Sequence, residues 1–129
     1  MLIERHVFNE IWQYIDSDKI IILNGARQVG KTTLMKMIKD KLIAEKKAGE
    51  KSILWYDLES ADQLEIFANQ TAAFNALPVA DLKNKYYLFI DEFQRSKTIG
   101  STFKVIHDHY PHIKIIATGS ASWYLDINE

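Results

Sequence analysis

The chain has 129 residues, of which 47% are hydrophobic and 26% are charged, and its formal net charge is -1. These values predict one globular domain with a hydrophobic core, and they exclude a disordered or collagen-like chain. The sequence contains no apolar run of transmembrane length, no apolar signal-peptide core near its start and no cysteine. We therefore expect a cytoplasmic protein with no membrane partner, no disulfide and no thiolate metal site.

The first half of the chain alternates segments of helical and strand periodicity. Apolar residues recur on one helical face over residues 7–15, and the continuous apolar run at 20–23 predicts a buried strand. A second helix is predicted over residues 34–42, closing in a lysine-rich turn and Gly49, as helix C-termini favour. Residues 53–56 predict the next strand.

The second half of the chain continues the same alternation. One helix is predicted over residues 64–77, where Pro78 stops it, and a third strand over residues 86–90. A further helix is predicted over residues 99–110 and a fourth strand over residues 113–117. Apolar strands without polar alternation are covered on both faces, so the pattern predicts an α/β fold with helices on each side of a mostly parallel sheet.

A phosphate-binding motif lies between the first predicted strand and the second helix. It matches G-x-x-x-x-G-K-[ST] in full and reads Gly25-Ala26-Arg27-Gln28-Val29-Gly30-Lys31-Thr32. Glycines allow the loop to turn its amide N–H groups toward a phosphate, Lys31 is expected to reach the β- and γ-phosphates, and Thr32 is expected to ligate Mg²⁺. Thr33 is either an α-phosphate contact or an ordinary first-turn helix residue. A chance match in a glycine turn is the alternative, and the flanking strand and helix argue against it.

Two adjacent carboxylates, Asp91 and Glu92, follow the third predicted strand at its carboxyl end, where ligands of open α/β sheets bind. Asp91 is expected to hold Mg²⁺ directly or through water. Glu92 is expected to orient and polarise the water that attacks the γ-phosphate. Many exposed strands end in acids, so this pair gains its meaning from the phosphate-binding loop about sixty residues earlier.

Polar residues also follow the last predicted strand, where the chain reads Thr118-Gly119-Ser120. A short polar side chain here is placed to sense the γ-phosphate or to help fix the attacking water. Ordinary turn residues have the same composition. Both Thr118 and Ser120 therefore remain candidates.

Residues 25–33, 88–94 and 115–120 together resemble a prokaryotic family of P-loop ATPases in the AAA superfamily, and the resemblance extends over the whole chain. The most diagnostic residues are the Arg27-Gln28 pair in the loop, Gln94 after the acidic pair and the Thr-Gly-Ser end of the last strand. The resemblance implies a P-loop NTPase three-layer α/β/α sandwich that uses ATP and Mg²⁺. Members usually continue into further helices and a C-terminal domain of uncertain function, sometimes nuclease-like.

The resemblance also implies a five-stranded parallel sheet in the order 5-1-4-3-2, whereas this sequence supplies four predicted strands. We therefore expect residues 1–129 to be the N-terminal part of an AAA-type ATPase domain, truncated before the last core strand, within a longer protein. Its own C-terminal domain is then an expected partner, and homo-oligomer formation stays open. The missing region would normally hold the arginine finger, and only Arg5, Arg27 and Arg95 remain, so slow hydrolysis is expected.

Other nucleotide-dependent functions share this loop. A GTPase is disfavoured because Asn84-Lys85 lacks the acidic residue of the guanine-reading N-K-x-D motif and Asp91 begins no D-x-x-G sequence. A small-molecule kinase is moderately disfavoured because Glu92 directly after the strand aspartate favours activation of water. An ATP-binding regulatory switch with little turnover remains an alternative.

A lysine-rich segment and a group of three histidines raise the question of other partners. Residues 31–51 hold seven lysines and three acids, which is typical of a solvated helix face, although a basic helix can also contact nucleic acid. His107, His109 and His112 lie close together, but helix positions two apart point to different faces and no carboxylate cluster completes a metal site. The sequence leaves any nucleic-acid or protein partner open.

Overall fold

A computed structural model of the chain describes residues 2–25 and 30–120. Over these residues the helices are α1 (Leu2–Trp12), α2 (Lys31–Ala44), α3 (Ala61–Ile66), α4 (Gln70–Ala76) and α5 (Ile99–His109). The strands are β1 (Ile21–Asn24), β2 (Ile53–Asp57), β3 (Tyr86–Asp91) and β4 (Ile113–Gly119). None of the helices described is long and apolar enough to cross a membrane.

The four strands form one parallel sheet in the order β1-β4-β3-β2. Each neighbouring pair is parallel, an arrangement that requires a crossover connection between the strands. The order is the one that the resemblance implies for the first four strands, and it places β4 and β3 in the centre. The predicted α/β fold is confirmed.

Helices cover both faces of the sheet because alternate side chains of each strand point to opposite sides. On β3, Tyr87 and Phe89 belong to an apolar cluster with α1 and α2, whereas Leu88 and Ile90 belong to a second cluster with α5. The first cluster includes Met35 and Ile38, and the second includes Phe103 and Ile106, all of them fully buried. The architecture is therefore the predicted three-layer α/β/α sandwich.

The helix predicted over residues 64–77 is wrong, because the structure has two short helices there. α3 ends at Ile66, and Asn69 begins α4 by accepting a hydrogen bond from the Ala72 amide at 2.8 Å through its side-chain oxygen. Asn at such a position satisfies an amide that the new helix leaves unpaired. The apolar spacing misled the prediction because side chains of both helices, such as Phe67 and Phe74, pack into the same cluster.

The predicted end of α2 also differs. The left-handed residue after the helix is Lys46, with φ 59°, and Gly49 has an extended backbone with φ −92°. The amide of Lys47 donates to the carbonyl of Leu42 at 2.9 Å, which closes the helix before Gly49 is reached. A hydrogen bond of this kind to a carbonyl of the last turn can end a helix without glycine. A residue with a side chain, such as Lys46, nevertheless adopts the left-handed conformation at some cost in strain.

Two of the lysines predicted to lie on the surface pack on aromatic rings. The Lys39 ammonium lies 5.6 Å from the centre of the Trp55 ring, and the Lys41 ammonium lies 5.1 Å from that of Trp12. Lys41 also pairs with Glu45 at 2.9 Å along the same helix. Cations over ring faces cover apolar surface, so part of the basic segment serves packing.

One lysine of the central strand β4 is buried. Lys114 is 3% exposed, and its ammonium donates to the carbonyl oxygens of Tyr14, Ser17 and Lys19 at 2.8, 2.8 and 2.5 Å. Burial lowers the pKa of Lys114 to about 8, and the positive charge of Lys85 adds to the lowering. The three carbonyls accept from the charged form and oppose that change. Lys114 thereby fastens the segment that joins α1 to β1 onto the sheet.

Candidate functional site at the carboxyl ends of the strands

The carboxyl ends of the four parallel strands meet at one edge of the sheet. Asn24 at the end of β1 pairs with Gly119 of β4, and Asp57 at the end of β2 pairs with Asp91 of β3. Loops that leave this edge carry the predicted site residues, in agreement with the general position of ligands in open α/β sheets. Four predicted loop residues lie outside the described part of the chain: Ala26, Arg27, Gln28 and Val29.

The two described glycines of the loop adopt positive φ. Gly25 has φ 152°, and Gly30, which begins α2, has φ 79° and ψ 26°. Side chains disfavour both conformations, so glycine is required for the chain to turn from β1 into the helix. The carbonyl of Gly30 accepts a hydrogen bond from the Leu34 amide at 2.9 Å, which is the first hydrogen bond of α2. The N-terminus of α2, with its partial positive charge, therefore directly follows the loop in the chain.

The side chain of Lys31 lies across the carboxyl ends of β1 and β4. It is 5% exposed, and its ammonium donates to the carbonyl oxygens of Gly25 at 2.6 Å and Gly119 at 2.7 Å. These carbonyls stabilise a buried charge that would otherwise carry a large desolvation cost. The amide of Gly25 also donates to the Gly119 carbonyl at 3.2 Å, so the loop and β4 are tied together.

Asp91 accepts hydrogen bonds at both carboxylate oxygens. Thr32 donates to Oδ2 at 2.8 Å, and Thr118 donates to Oδ1. Because the Thr32 hydroxyl gives its hydrogen to Asp91, its lone pairs are left for another partner. A hydroxyl beside a carboxylate provides the hard oxygen ligands that Mg²⁺ prefers, so these two residues fit a magnesium site shared with phosphate oxygens.

Thr118 and Ser120 occupy different environments. Thr118 is fully buried, and its hydroxyl connects the Asp91 carboxylate with the Glu92 amide, which donates to it at 3.3 Å. Ser120 is only partly buried and donates to Oε1 of Glu92 at 2.8 Å. Thr33 is exposed in the first turn of α2. Thr118 and Ser120, which the sequence could not distinguish, thus differ in burial and in hydrogen-bond partners.

Glu92 stands at a sharp backbone turn. Its φ and ψ are 57° and 53°, a left-handed conformation that is uncommon for a residue with a side chain, and it is 8% exposed. Its Oε1 also accepts from the amide nitrogen of Gln94 at 2.7 Å, and that nitrogen lies 3.3 Å from the Ser120 hydroxyl. Gln94 was diagnostic of the family resemblance but had no predicted role, and its position two residues after Glu92 was the available signal.

Gly119 lies against the ring of Phe93. A Cβ at this position would stand 2.5 Å from Cε2 of Phe93 and 2.9 Å from Oε1 of Gln94. Phe93 is fully buried and cannot move without disturbing the core. The close approach of β4 to the segment after β3 therefore depends on glycine.

We expect Gly119→Ala to destabilise the chain by about 1 to 3 kcal/mol, because the added methyl group forces a buried ring and an amide to shift. The free energy of unfolding, measured by urea denaturation, tests this expectation. Gly49→Ala is the matched control, since a Cβ there meets nothing within 4 Å and its backbone is extended. Equal stability of the two variants would contradict the packing argument.

The family model described as "AAA domain" matches residues 17–128, which is most of the chain and includes every residue of the site. No curated protein matches the chain. Within the described residues, no group of three or more histidines and carboxylates is placed to hold a metal ion.

Proposed function

The chain belongs to the AAA domain family, and from that membership we propose that it binds ATP together with Mg²⁺ at the carboxyl ends of the strands and hydrolyses the γ-phosphate slowly. The observation that carries the proposal is the contact between Thr32 of the loop and Asp91 of β3, at 2.8 Å. This hydrogen bond joins Thr32, which is expected to ligate Mg²⁺, to Asp91, which is expected to hold Mg²⁺ directly or through water. The two motifs are 59 positions apart in the sequence.

Phosphate binding falls to the loop and the start of α2. Gly25 and Gly30 have positive φ, which lets the chain turn between β1 and α2, and the N-terminal end of α2 adds a positive potential. In our proposal the Lys31 ammonium leaves the carbonyls of Gly25 and Gly119 and moves to the β- and γ-phosphate oxygens. A charge that is already desolvated loses little further hydration on this exchange.

Magnesium fits beside Thr32 and Asp91. The Thr32 hydroxyl keeps its lone pairs for the ion, and Asp91 accepts from ligated water while its own oxygens stay held by Thr32 and Thr118. When bound, Mg²⁺ would be held by Thr32 and, through water, by Asp91, and it would neutralise charge that develops on the phosphate oxygens. Thr118 then acts as a positioning residue for Asp91.

Hydrolysis requires a group that accepts a proton from water. We assign this role to Glu92, whose carboxylate lies between the ends of β3 and β4. The water oxygen forms a bond to the γ-phosphorus, the bond from that phosphorus to the β–γ bridging oxygen breaks, and the water proton passes to Glu92. In our proposal Ser120, which donates to the same carboxylate, senses the γ-phosphate.

Turnover should be slow unless another subunit or domain supplies an arginine. An arginine finger contributes roughly a thousandfold or more to such reactions. A second copy of the chain or a following domain is the proposed source. Without that contribution the chain would act as an ATP-binding switch. This second candidate function is supported by hydrogen bonds within the protein that already engage two site residues: the Lys31 ammonium donates to backbone carbonyls, and the Glu92 carboxylate accepts from Gln94.

Calorimetric titration of the chain with ATP and GTP, each with Mg²⁺ and with a chelator, tests the proposal. We expect Mg-ATP to bind, GTP to bind more weakly, and removal of Mg²⁺ to weaken ATP binding by about tenfold or more, because the phosphate charge is then left to Lys31 and the loop. A folded chain that gives no binding heat with either nucleotide at millimolar concentration would contradict the proposed function.

A further inference from the structure

Three hydrogen bonds connect Glu92, Gln94 and Ser120, and two of them reach the carboxylate of Glu92. The amide nitrogen of Gln94 donates to Oε1 of Glu92 at 2.7 Å and to the Ser120 hydroxyl at 3.3 Å, and Ser120 donates to the same Oε1 at 2.8 Å. An ionised carboxylate only accepts, so the nitrogen of the Gln94 amide must face Glu92. Each of the three hydrogens then has an acceptor.

The other end of the Gln94 amide is confined without a hydrogen bond. Its Oε1 is buried and has no partner among the residues that the structure describes. It lies against Gly119, where a Cβ would be 2.9 Å from this oxygen. A buried polar atom without a hydrogen bond lowers the free energy of unfolding, so the stability of the fold does not explain why position 94 carries an amide side chain. The contact with Glu92 does give one.

We propose that Gln94 is a positioning residue for Glu92, which fixes one carboxylate oxygen in place so that the group presents a defined acceptor to the attacking water. This role rests on the proposed ATP hydrolysis. Gln94 touches neither the nucleotide nor the water in this proposal and acts through Glu92 alone. Its effect must therefore disappear when Glu92 can no longer accept a proton.

Two substitutions test the role. Gln94→Ala removes the donor, and Gln94→Glu keeps the shape but places an acceptor against an acceptor, so that the two carboxylates compete for one proton. We expect both variants to bind Mg-ATP within about twofold of the unmodified chain and to hydrolyse bound ATP at least about tenfold more slowly, because misplacement of a catalytic group lowers kcat and leaves binding intact. The isosteric variant carries the test if the alanine variant does not fold.

The matched control is Gln63→Glu. Gln63 lies beyond the end of β2, and its side-chain oxygen accepts from the Asp57 amide at 2.6 Å, a contact that glutamate preserves. The control adds the same charge near the same edge of the sheet without disturbing Glu92. We expect its single-turnover rate to equal that of the unmodified chain within about twofold.

A double-variant cycle separates positioning from a general structural effect. In a Glu92→Gln background, Gln94→Ala should cause no further loss of rate, since the group through which it acts is already removed. The same loss in both backgrounds, or an unchanged rate for Gln94→Ala alone, would overturn the role of Gln94. A chain that binds or hydrolyses no ATP before any substitution would instead overturn the proposed function, and this role with it.

Discussion

Replacing Lys31 by alanine should weaken Mg-ATP binding by about 100-fold or more, which corresponds to roughly 3 kcal/mol. The Lys31 ammonium is 5% exposed and lies at the junction of the loop with the ends of β1 and β4. A cation in such a shielded position interacts strongly with a triphosphate because little water competes for it. Calorimetric titration of the variant beside the unmodified chain measures the loss.

Lys36→Ala is the matched control for this change. Lys36 lies on the same helix, α2, and its side chain is exposed. The control removes the same charge at a distance from the strand ends, and its affinity should stay within about twofold because exposed charges are screened. If Lys31→Ala and Lys36→Ala bind Mg-ATP equally well, the ammonium does not contact the phosphates and the assignment of the loop fails.

Replacing Glu92 by glutamine should lower the rate of ATP hydrolysis by about 100-fold to 10,000-fold while Mg-ATP affinity changes by less than about threefold. The amide has the shape of the carboxylate but cannot accept a proton from water. Its oxygen still accepts from Gln94 and Ser120, so the local geometry is expected to persist. Single-turnover hydrolysis of bound ATP, with affinity measured separately, distinguishes the two effects.

Glu65→Gln provides the comparison for this prediction. Glu65 is an exposed residue of α3, and the substitution removes one negative charge without touching the strand ends. Its rate should match that of the unmodified chain. A Glu92→Gln variant as fast as Glu65→Gln would mean that a different group accepts the proton, and the assignment of Glu92 would have to be withdrawn.

The layers and strands of the fold could be predicted because they depend on patterns within single segments. Apolar runs marked each strand to within two residues of its observed ends, and residues 86–90 lie inside the observed β3. The break between α3 and α4 was missed because Phe67 and Phe74 face one cluster and preserve the helical spacing across it. A single capping residue, Asn69, decided the outcome, and periodicity does not detect it.

The candidate site was predictable in its motifs but not in its contacts. Thr32 and Asp91 follow from motif and order, since both must lie at the carboxyl end of the sheet. The bonds that Gln94 and Ser120 make with Glu92 depend on how closely the segments after β3 and β4 approach each other, and Gly119 sets that approach. No spacing along the chain encodes that distance.

Lys114, the second residue of β4, shows that residues before position 17 belong to the folded domain. The family match begins at residue 17, yet Lys114 of β4 binds the carbonyl of Tyr14, and α1 buries Phe8 and Ile11 against α2. A shortened chain that begins at the family boundary would lose one acceptor of a buried ammonium and uncover apolar surface on α2. α1 is therefore part of the packed hydrophobic core, although it lies outside the residues that the family model matches.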